Sequence, residues 1–343
     1  MAFPTRHVVV GGLAAAAAAA ALRLVACHAE TSPSPTPPPA ASPRAPAAPS
    51  AEPSPDAGAA PDAGPPVRFV AVGDTGKGHD GQRRVAKALD QKCRRDGCDF
   101  VVMLGDNIYP SGVTSVDDPQ WDEKFERMYA ATDLEFLAVL GNHDYGGGGA
   151  GNEFTKGQFQ VDYTKRSAKW RMPAAHWHAV RGPIELFGLD SNMQLFGRDA
   201  DQRRDVAAWL SASAARWKIA LAHHPYRSNG LHGNAGRYDG IFVSPASGDG
   251  VRRFDEDLVC GKVDLLLTGH DHSRQWLTET CKGTELVVSG TGAEITDLPG
   301  KNPVRFQALT LGFVYVVVTH ERVVVEFVDE AGTTEFSHGF AKP

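Results

Sequence analysis

The chain is 343 residues long and carries 35 Lys and Arg against 41 Asp and Glu, a formal net charge of −6. This mild acidity provides no electrostatic footprint for nucleic acid and argues against a nucleic-acid partner. Basic pairs such as Arg83 with Arg84 stand among acidic residues, as on a solvated helix face. The length leaves room for two average domains, but the first fifth of the chain is not globular in composition.

The N-terminus has the pattern of a targeting segment. Arg6 and His7 precede the apolar stretch "VVVGGLAAAAAAAAL" at 8–22. This stretch is too short and too rich in Ala and Gly for a membrane-spanning helix, so we expect its removal during export.

The next residues indicate how the segment would be processed. The stretch "LVAC", Leu24–Cys27, resembles the lipobox of bacterial lipoproteins, in which the Cys becomes the lipid-bearing first residue of the mature chain. We therefore predict a signal peptide of the lipoprotein type over residues 1–27 and a lipid anchor to the membrane through Cys27. Arg23 departs from the lipobox pattern, and an ordinary secretory signal is the alternative. Both predict a protein outside the cytoplasm, in the bacterial cell envelope or secreted.

Residues 28–66 are predicted to form a disordered Pro/Ala-rich linker. Almost all of 31–66 is Pro, Ala, Ser, Gly and Asp, without an aromatic or large aliphatic side chain to bury. Such a composition forms a semi-extended tether. The remaining residues, 67–343, are predicted to form the folded domain.

Short apolar runs alternate with helical segments through this domain. The runs predict strands at 67–73, 99–105, 135–141, 184–190, 216–224 and 263–270, and further strands at 285–290, 313–320 and 322–329. Helices are predicted at 81–92 and 118–131, the second with Asp118 as a cap and Pro119 at its first position. Strand–helix alternation followed by consecutive strands is typical of an α/β layered domain.

Four cysteines follow Cys27, and outside the cytoplasm disulfides persist. Of the three possible pairings we predict Cys93 with Cys98, across a polar turn, and Cys260 with Cys281, on either side of "TGHDH". A zinc site is the rival interpretation, but neither spacing is the tight C-x2-C pattern.

Metal-capable side chains follow the ends of several predicted strands. They occur in "VGD", "LGD", "LGNH", "LAHH" and "TGHDH", which contain Asp74, Asp106, Asn142, His143, His223, His270 and His272. Each alone is typical of a turn or of a hydrogen-bonded histidine. Five such ends in one domain make independent structural explanations improbable. Because the carboxyl ends of strands in open α/β sheets form the ligand crevice, we expect these side chains to converge.

The motifs "GDTG", "GDNIYPSGV", "GNHDY", "AHHP" and "GHDH" occur in the order and spacing of the calcineurin-like metallophosphoesterases. Over roughly residues 67–330 the sequence most resembles purple acid phosphatases of the small, tartrate-resistant type. Tyr109, three residues after Asp106, separates these phosphatases from most of the superfamily. The resemblance implies an α/β four-layer sandwich, two β-sheets flanked by helices, without the separate N-terminal β-domain of larger plant relatives.

The resemblance also implies a centre of two metal ions. Fe(III) would be held by Asp74, Tyr109 and His272. Fe(II), Zn(II) or Mn(II) would be held by Asn142, His223 and His270, with Asp106 as the bridge. The donor chemistry agrees, because phenolate and carboxylates are hard anionic donors that suit ferric iron, whereas amide oxygen and imidazoles suit a divalent ion.

The function implied by the resemblance is phosphoester hydrolysis. We expect an acid phosphatase that hydrolyses small-molecule phosphomonoesters with metal-bound hydroxide, best below neutral pH. Metals do not protonate a leaving group, so an acid is needed beside them. His143 and His232 match the two non-ligand histidines of the tartrate-resistant family, and which of them donates the proton stays open.

Other residues near the motifs are expected to support the site. His224 would pack beside His223, and Asp271 would point away from its neighbouring histidines. Gly146–Gly149 is expected to form a flexible rim. The remaining histidines match no ligand position: His79, His176, His178, His320 and His338.

Two alternatives remain open at this point. The same centre serves phosphodiesterases acting on nucleotides or lipid head groups. A surface protein that keeps a metal site for stability or phosphate capture is the non-enzymatic alternative, although no ligand position is substituted. We expect a monomer.

Overall fold

The computed structural model describes residues 64–342. The predicted signal peptide, the anchor at Cys27 and nearly all of the predicted linker lie outside the described residues. No helix among residues 64–342 is long and apolar enough to cross a membrane.

Two mixed sheets of seven strands each organise this part of the chain. The first sheet contains, in spatial order, β14 (Thr334–Ala341), β13 (Arg322–Asp329), β12 (Gly312–Val318), β1 (Val67–Val72), β2 (Phe100–Leu104), β3 (Glu135–Val139) and β4 (Trp170–Arg171). The second contains β11 (Val304–Ala308), β9 (Arg274–Leu277), β10 (Glu285–Ser289), β8 (Leu265–Thr268), β7 (Trp217–Leu221), β6 (Ile184–Gly188) and β5 (Trp177–Arg181).

Parallel strands form the centre of each sheet. The parallel pairs are β1–β2, β2–β3 and β3–β4 in the first sheet, and β6–β7, β7–β8 and β8–β10 in the second. Their carboxyl ends therefore meet at one edge of each sheet, and the site is built there.

Helices cover the outer face of each sheet. They are α1 (Asp80–Asp96), α2 (Gly157–Tyr163), α3 (Ser191–Leu195), α4 (Ala200–Ala212) and α5 (Asp249–Phe254). Shorter 3₁₀ turns lie at His143–Tyr145, Gly147–Gly149 and Tyr238–Gly240, and π-helical stretches at Asp122–Glu126 and Asp255–Val259.

The core has three apolar layers, which explains why the strand sequences are apolar in runs rather than in alternation. In β1, Phe69 packs between the two sheets, whereas Val70 packs outward against Leu89 of α1. In the second sheet, Phe187 packs outward in a cluster with Val206 of α4. Strands buried on both faces need apolar residues at every position. The observed layers confirm the predicted α/β four-layer sandwich.

Every strand predicted from an apolar run is present, but the sequence pattern missed five others. These are β4, β5, β9, β11 and β14. The strand β4 has only two residues, and β11 and β14 are edge strands with partly exposed, mixed side chains. Short or edge strands lack the long apolar run that marks a central strand.

The prediction of a regular α-helix over 118–131 is largely wrong. Its regular part is short and runs into the π-helical stretch Asp122–Glu126, followed by turns. The carbonyl of Lys124 accepts a hydrogen bond from Gln82 Nε2 at 2.7 Å, which competes with a regular helical ladder. Asp118 does cap the segment, since its Oδ1 accepts from Gln120 N at 3.0 Å.

Both predicted disulfides are confirmed. Cys93 and Cys98 close the end of α1, where the helix stops at Gly97 with a φ of 82°. Cys260 and Cys281 join the end of the second π-helical stretch to the turn before β10. The first bond closes a turn at the helix end, and the second is buried in the apolar cluster outside the second sheet.

Candidate metal centre

The centre is built on sharp turns at the carboxyl ends of strands. Asp74 follows β1, Asp106 follows β2 and His270 follows β8, and their φ angles are 60°, 52° and 68°. This left-handed conformation costs a residue other than Gly on the order of 1 kcal/mol or more. Three such residues in one place indicate that the surrounding structure holds their side chains in a required direction.

Hydrogen bonds between the turns fix their relative positions. His270 N donates to Asp74 Oδ2 at 2.9 Å, which ties the second sheet to the first. His143 N donates to Asp106 Oδ1 at 2.9 Å. Each carboxylate thus uses one oxygen to position the backbone of another strand end.

Three predicted ligands form a first group. The hydroxyl of Tyr109 lies 3.1 Å from Asp74 Oδ1 and 3.0 Å from His272 Nε2. His272 Nε2 lies 3.5 Å from Asp74 Oδ1. All three side chains are buried or nearly so.

The other three predicted ligands form a second group. His223 Nε2 lies 2.9 Å from Asn142 Oδ1 and 3.1 Å from His270 Nδ1. Asn142 Nδ2 donates to Gly149 O at 2.8 Å, which directs the amide oxygen toward the imidazoles. His223 Nδ1 donates to Leu104 O at 2.9 Å, so Nε2 is the ring nitrogen directed at the group.

Asp106 stands between the two groups. Its Oδ1 lies 3.4 Å from His223 Nε2 in the second group. Burial raises the pKa of Tyr109 in the first group, and the negative charge of Asp106 raises it further. The described residues thus place one carboxylate where both groups can use it.

The geometry and donor types fit two cations. Ligand atoms that each lie roughly 2.1 Å from one ion are about 3 Å from one another, which is the spacing of the donor atoms here. In the second group, an amide oxygen, a carboxylate oxygen and two imidazole nitrogens converge, and such acceptors repel one another unless they share a cation. Within the described residues, Asp74, Asp106 and His223 form one set of donors suited to a metal, and His223, His224 and His270 another.

Electrostatics favour the metal-binding form of His270, whereas His223 and Tyr109 need a cation to lose a proton. The charge of Asp106 outweighs burial and raises the pKa of His223 to about 9, so that ring keeps a second proton unless a cation replaces it. Burial, with the nearby His232 and His224, lowers the pKa of His270 well below its usual value, so the ring is neutral. Burial and the charges of Asp106 and Asp74 raise the pKa of Tyr109 well above its usual value. The phenol therefore keeps its proton unless a cation replaces it.

The two predicted acid residues lie on opposite sides of the centre. His143 Nδ1 lies 2.6 Å from Pro110 O, and its Nε2 lies 3.9 Å from Asp106 Oδ2. His232 Nδ1 lies 3.0 Å from Asp239 Oδ1, and its ring stacks on His270 with centroids 4.1 Å apart. Each ring is anchored through Nδ1.

Asp271 holds the His232 loop in place. It is fully buried and points away from the ligand groups, as expected, and its Oδ1 accepts from His232 N at 2.9 Å. The loop position of His232 therefore depends on the same turn that carries His270 and His272.

An ion pair behind the first group was missed from the sequence. Lys77 Nζ lies 2.6 Å from Glu294 Oε2 and 3.9 Å from the centroid of the Tyr109 ring. Glu294 Oε2 also lies 3.9 Å from His272 Nδ1. The pair therefore contacts two of the three side chains in the group.

The second group is backed by buried neutral hydrogen bonds. His224 packs beside His223 as expected, and its Nδ1 lies 2.8 Å from Ser191 Oγ. The adjacent Asn192 donates through Nδ2 to Gly151 O at 2.9 Å. Asp190, which starts this turn, accepts from Tyr145 OH at 2.5 Å.

Asp144 is a second residue that sequence reasoning missed. It is fully buried, and its carboxylate accepts from Asn107 N at 2.9 Å, Gly141 N at 2.8 Å and Gln160 Nε2 at 2.7 Å. These bonds lock the turns that carry Asp106 and Asn142. Its position two residues after Asn142 in "GNHDY" was the available signal.

The glycine run beside the centre has a defined shape. Gly146–Gly149 all have positive φ, and a Cβ at Gly149 would lie 2.7 Å from the ring of His143. The close approach of backbone to His143 therefore requires glycine there. The predicted rim is in place, and its flexibility stays a prediction.

Four of the five remaining histidines make side-chain contacts outside the centre. His79 caps α1, and His176 and His178 pair with Asp205 and Glu185 respectively. His338 packs against Trp276. Among the described residues these rings are occupied by structural contacts.

A cavity of about 370 Å³ opens beside the second group. It is lined by Asn142 and His270 from that group, by His224 and His232, and by residues of the segments 192–196 and 238–246. His232 therefore lies at the wall of this cavity, next to the second group.

Two sheets with converging metal donors at their strand ends define the class of metal-dependent phosphoesterases. A sequence profile of the calcineurin-like phosphoesterase family matches residues 67–274, and the chain belongs to that family. It is accordingly a metal-dependent phosphoester hydrolase, and the family implies a dinuclear metal centre.

The similar proteins narrow this class further. The chain is 28% identical to purple acid phosphatase 17 of Arabidopsis thaliana over 78% of this chain and 82% of that protein. It is 27% identical to tartrate-resistant acid phosphatase type 5 of Sus scrofa over 79% of this chain and 86% of that protein. Among solved structures, GAP50, described as the anchor in the inner membrane complex of Plasmodium, has a TM-score of 0.65 at 21% identity, covering 80% and 89% of the two chains. This last likeness shows the fold alone.

Proposed function

We propose that this protein is an acid phosphatase that hydrolyses phosphomonoesters of small molecules. The observation that carries the proposal is the arrangement of Asp74, Tyr109 and His272 on one side of Asp106 and three neutral donors on the other. The identity to purple acid phosphatases over most of the chain supports the same activity.

Two unlike ions would suit the two groups. The first group offers phenolate and carboxylate, which favour Fe(III), and the second offers one amide oxygen and two imidazoles, which favour Fe(II), Zn(II) or Mn(II). When bound, such a pair polarises the phosphate oxygens and supplies a hydroxide nucleophile near neutral pH. Asp106 would bridge the ions.

The side chains of the site would orient the ester and move protons. We assign His143 to the phosphate, because its ring lies beside Asp106 and is held through Nδ1 by Pro110 O. We assign His232 to the leaving oxygen, because it lines the cavity and Asp239 holds its Nδ1. In the protonated ring, Nε2–H is then the proton that passes to the departing alcohol.

The phosphatase assignment is tested with p-nitrophenyl phosphate and its bis ester. We expect hydrolysis of the monoester below neutral pH and little hydrolysis of the diester. Asn142→Ala and His270→Ala should abolish the activity, whereas His338→Ala, a histidine packed on Trp276, should retain it. Preference for the diester would indicate a phosphodiesterase. Unchanged phosphate release in both ligand variants would refute catalysis at this centre.

The role of His232 is tested by varying the leaving group. A poor leaving group needs the proton more than p-nitrophenolate does. His232→Ala should therefore slow alkyl phosphate hydrolysis by about 10²-fold or more and p-nitrophenyl phosphate hydrolysis far less. An equal loss on both esters would assign His232 to binding instead.

The protein is proposed to act outside the cytoplasm as a monomer, anchored through Cys27 to the bacterial envelope. The two disulfides fit an oxidising compartment. The mass of the mature N-terminus would distinguish a lipid-bearing Cys27 from an ordinary secreted chain. Light scattering of the purified protein tests the monomer.

A further inference from the structure

We propose that the natural substrate is a phosphomonoester of an apolar, extended alcohol. Its chain would leave the cavity across an exposed apolar ledge, defined here as Ile241, Phe242 and Val243. This inference rests on the proposed phosphatase function and specifies its substrate class.

The walls of the cavity are mainly carbon. The lining includes Leu195 and Phe196 at the end of α3, and Tyr238, Pro245 and Ala246 from the segment 238–246. These walls begin next to His232, where the leaving oxygen would lie. An alcohol that follows them exchanges contact with water for contact with apolar side chains.

The charges at the cavity disfavour a second anionic group. Among the described residues that line it, none is Lys or Arg, and Asp239 is acidic. The basic side chain closest along the chain, Arg237, has its guanidinium over the Phe242 ring, with 4.8 Å from Cζ to the centroid. Inside the cavity, the additional phosphates of nucleoside diphosphates or polyphosphates would therefore meet no Lys or Arg of the lining.

The ledge continues the apolar wall out of the cavity. The chain leaves the cavity lining at Asp239 and returns to it at Pro245. Consecutive Cα atoms are 3.8 Å apart, so Ile241 and Val243 each lie within about 7.6 Å of a lining residue. Phe242 and Val243 are 69% and 73% exposed.

Exposed apolar side chains in a row indicate a binding surface. Single exposed apolar residues are common, but a contiguous group at the rim of a catalytic cavity marks a ligand contact. The occupant that fits both the cavity and the ledge is one chain covalently joined to the phosphate.

A series of n-alkyl phosphates from ethyl to decyl, each below its critical micelle concentration, tests the proposal. The basicity of the leaving alkoxide hardly changes along this series, so chain length reports binding alone. Complete burial of one methylene is worth about fourfold in affinity, and a chain lying on a surface is about half-buried. We therefore expect kcat/KM to rise about twofold per methylene from butyl onward.

Variants of the ledge locate the effect. The double variant Phe242→Ser, Val243→Ser should flatten the rise for long chains and leave ethyl phosphate unchanged. The matched control is Val180→Ser on β5, an apolar side chain that is 59% exposed elsewhere, which should keep the full rise. Leu195→Gln, inside the cavity, should reduce the rate for butyl phosphate as well.

The outcomes separate the substrate class from the function. A flat series in the wild-type enzyme, with ethyl phosphate still hydrolysed, overturns the apolar substrate and leaves the phosphatase intact. No hydrolysis of any ester overturns both. If the double variant keeps the chain-length rise but loses binding to phosphatidylglycerol vesicles, the ledge contacts a bilayer and the proposal is wrong.

Discussion

The two ligand groups of the centre lie side by side but are supported in opposite ways. The first group is anionic, and an ion pair that reaches solvent, Lys77 with Glu294, lies behind it. The second group consists of an amide oxygen and two imidazoles and opens on the cavity, and the buried contact of His224 with Ser191 lies behind it.

The difference supports the proposal that the centre holds two unlike cations. Anionic oxygen donors suit a highly charged ion, whereas an amide oxygen and imidazoles suit a divalent ion beside the substrate. The two sites therefore differ in the charge of their donor atoms.

Asp106→Asn would break both groups at once and should have the largest effect. The amide removes the one negative charge that both groups use, so we expect activity to fall by at least about 10³-fold, on the order of 4 kcal/mol of transition-state stabilisation. Steady-state kinetics on p-nitrophenyl phosphate measures this. Asp205→Asn, whose carboxylate pairs with His176, is the control and should stay active. A loss below tenfold would mean that Asp106 does not serve both groups.

Tyr109→Phe would alter the first group alone. We expect a visible phenolate-to-iron absorption band in the wild-type protein and its complete loss in the variant, because Tyr109 is the phenol in contact with Asp74 and His272. Metal bound by the second group should remain by elemental analysis. Survival of the band in Tyr109→Phe would refute the assignment of this ligand.

Asp190→Asn tests the support of the second group through pH. Burial raises the pKa of Asp190 to about 6, although Tyr145 and Met193 donate to it. Since this value lies above the unfolded value of about 3.9, the folded state favours the protonated carboxyl. The stability from this group is present below about pH 4 and is lost as pH rises to about 6, on the order of 3 kcal/mol.

The variant should lack that decline. Urea unfolding of both proteins between pH 4 and 7 measures it: the difference between their free energies of unfolding should change with pH. A difference that stays constant across this range would show that Asp190 is ionised in the folded protein.

Lys77→Met should have the smallest effect and act on the first group only. The ammonium over the ring stabilises the phenolate, the electron donor of the absorption band, by about 1 kcal/mol. This is a small part of the energy of a visible photon. Its removal should move the absorption band to longer wavelength by on the order of 10 nm. Lys156→Met, which removes an ammonium paired with Glu153, should leave the band in place. A band unmoved by Lys77→Met would show that the ion pair does not act on Tyr109.

The sequence was sufficient to predict the central strands, because apolar runs of the same kind recur along the domain. Central strands are apolar on both faces, so their ends, and with them Asp74, Asp106 and His270, were located without a structure. That these residues converge also follows from parallel strands, and the structure brings them together.

Contacts between residues distant in the chain could not be predicted. Lys77 meets Glu294 only because the loops after β1 and β10 approach each other in space. Asp144 and Ser191 have no periodic pattern that distinguishes them from turn residues. The cavity walls come from short segments without a helical or strand periodicity. Which of their side chains line the cavity depends on how the segments pack in the folded protein.

The metal content of His272→Ala and His270→Ala tests the central claim of two separate groups most directly. The wild-type protein should contain two metal equivalents per chain. His272→Ala should lose one equivalent together with the iron band, and His270→Ala should lose one equivalent while the band persists. Loss of both metals in each variant, or of neither, would contradict the division of the centre into these two groups.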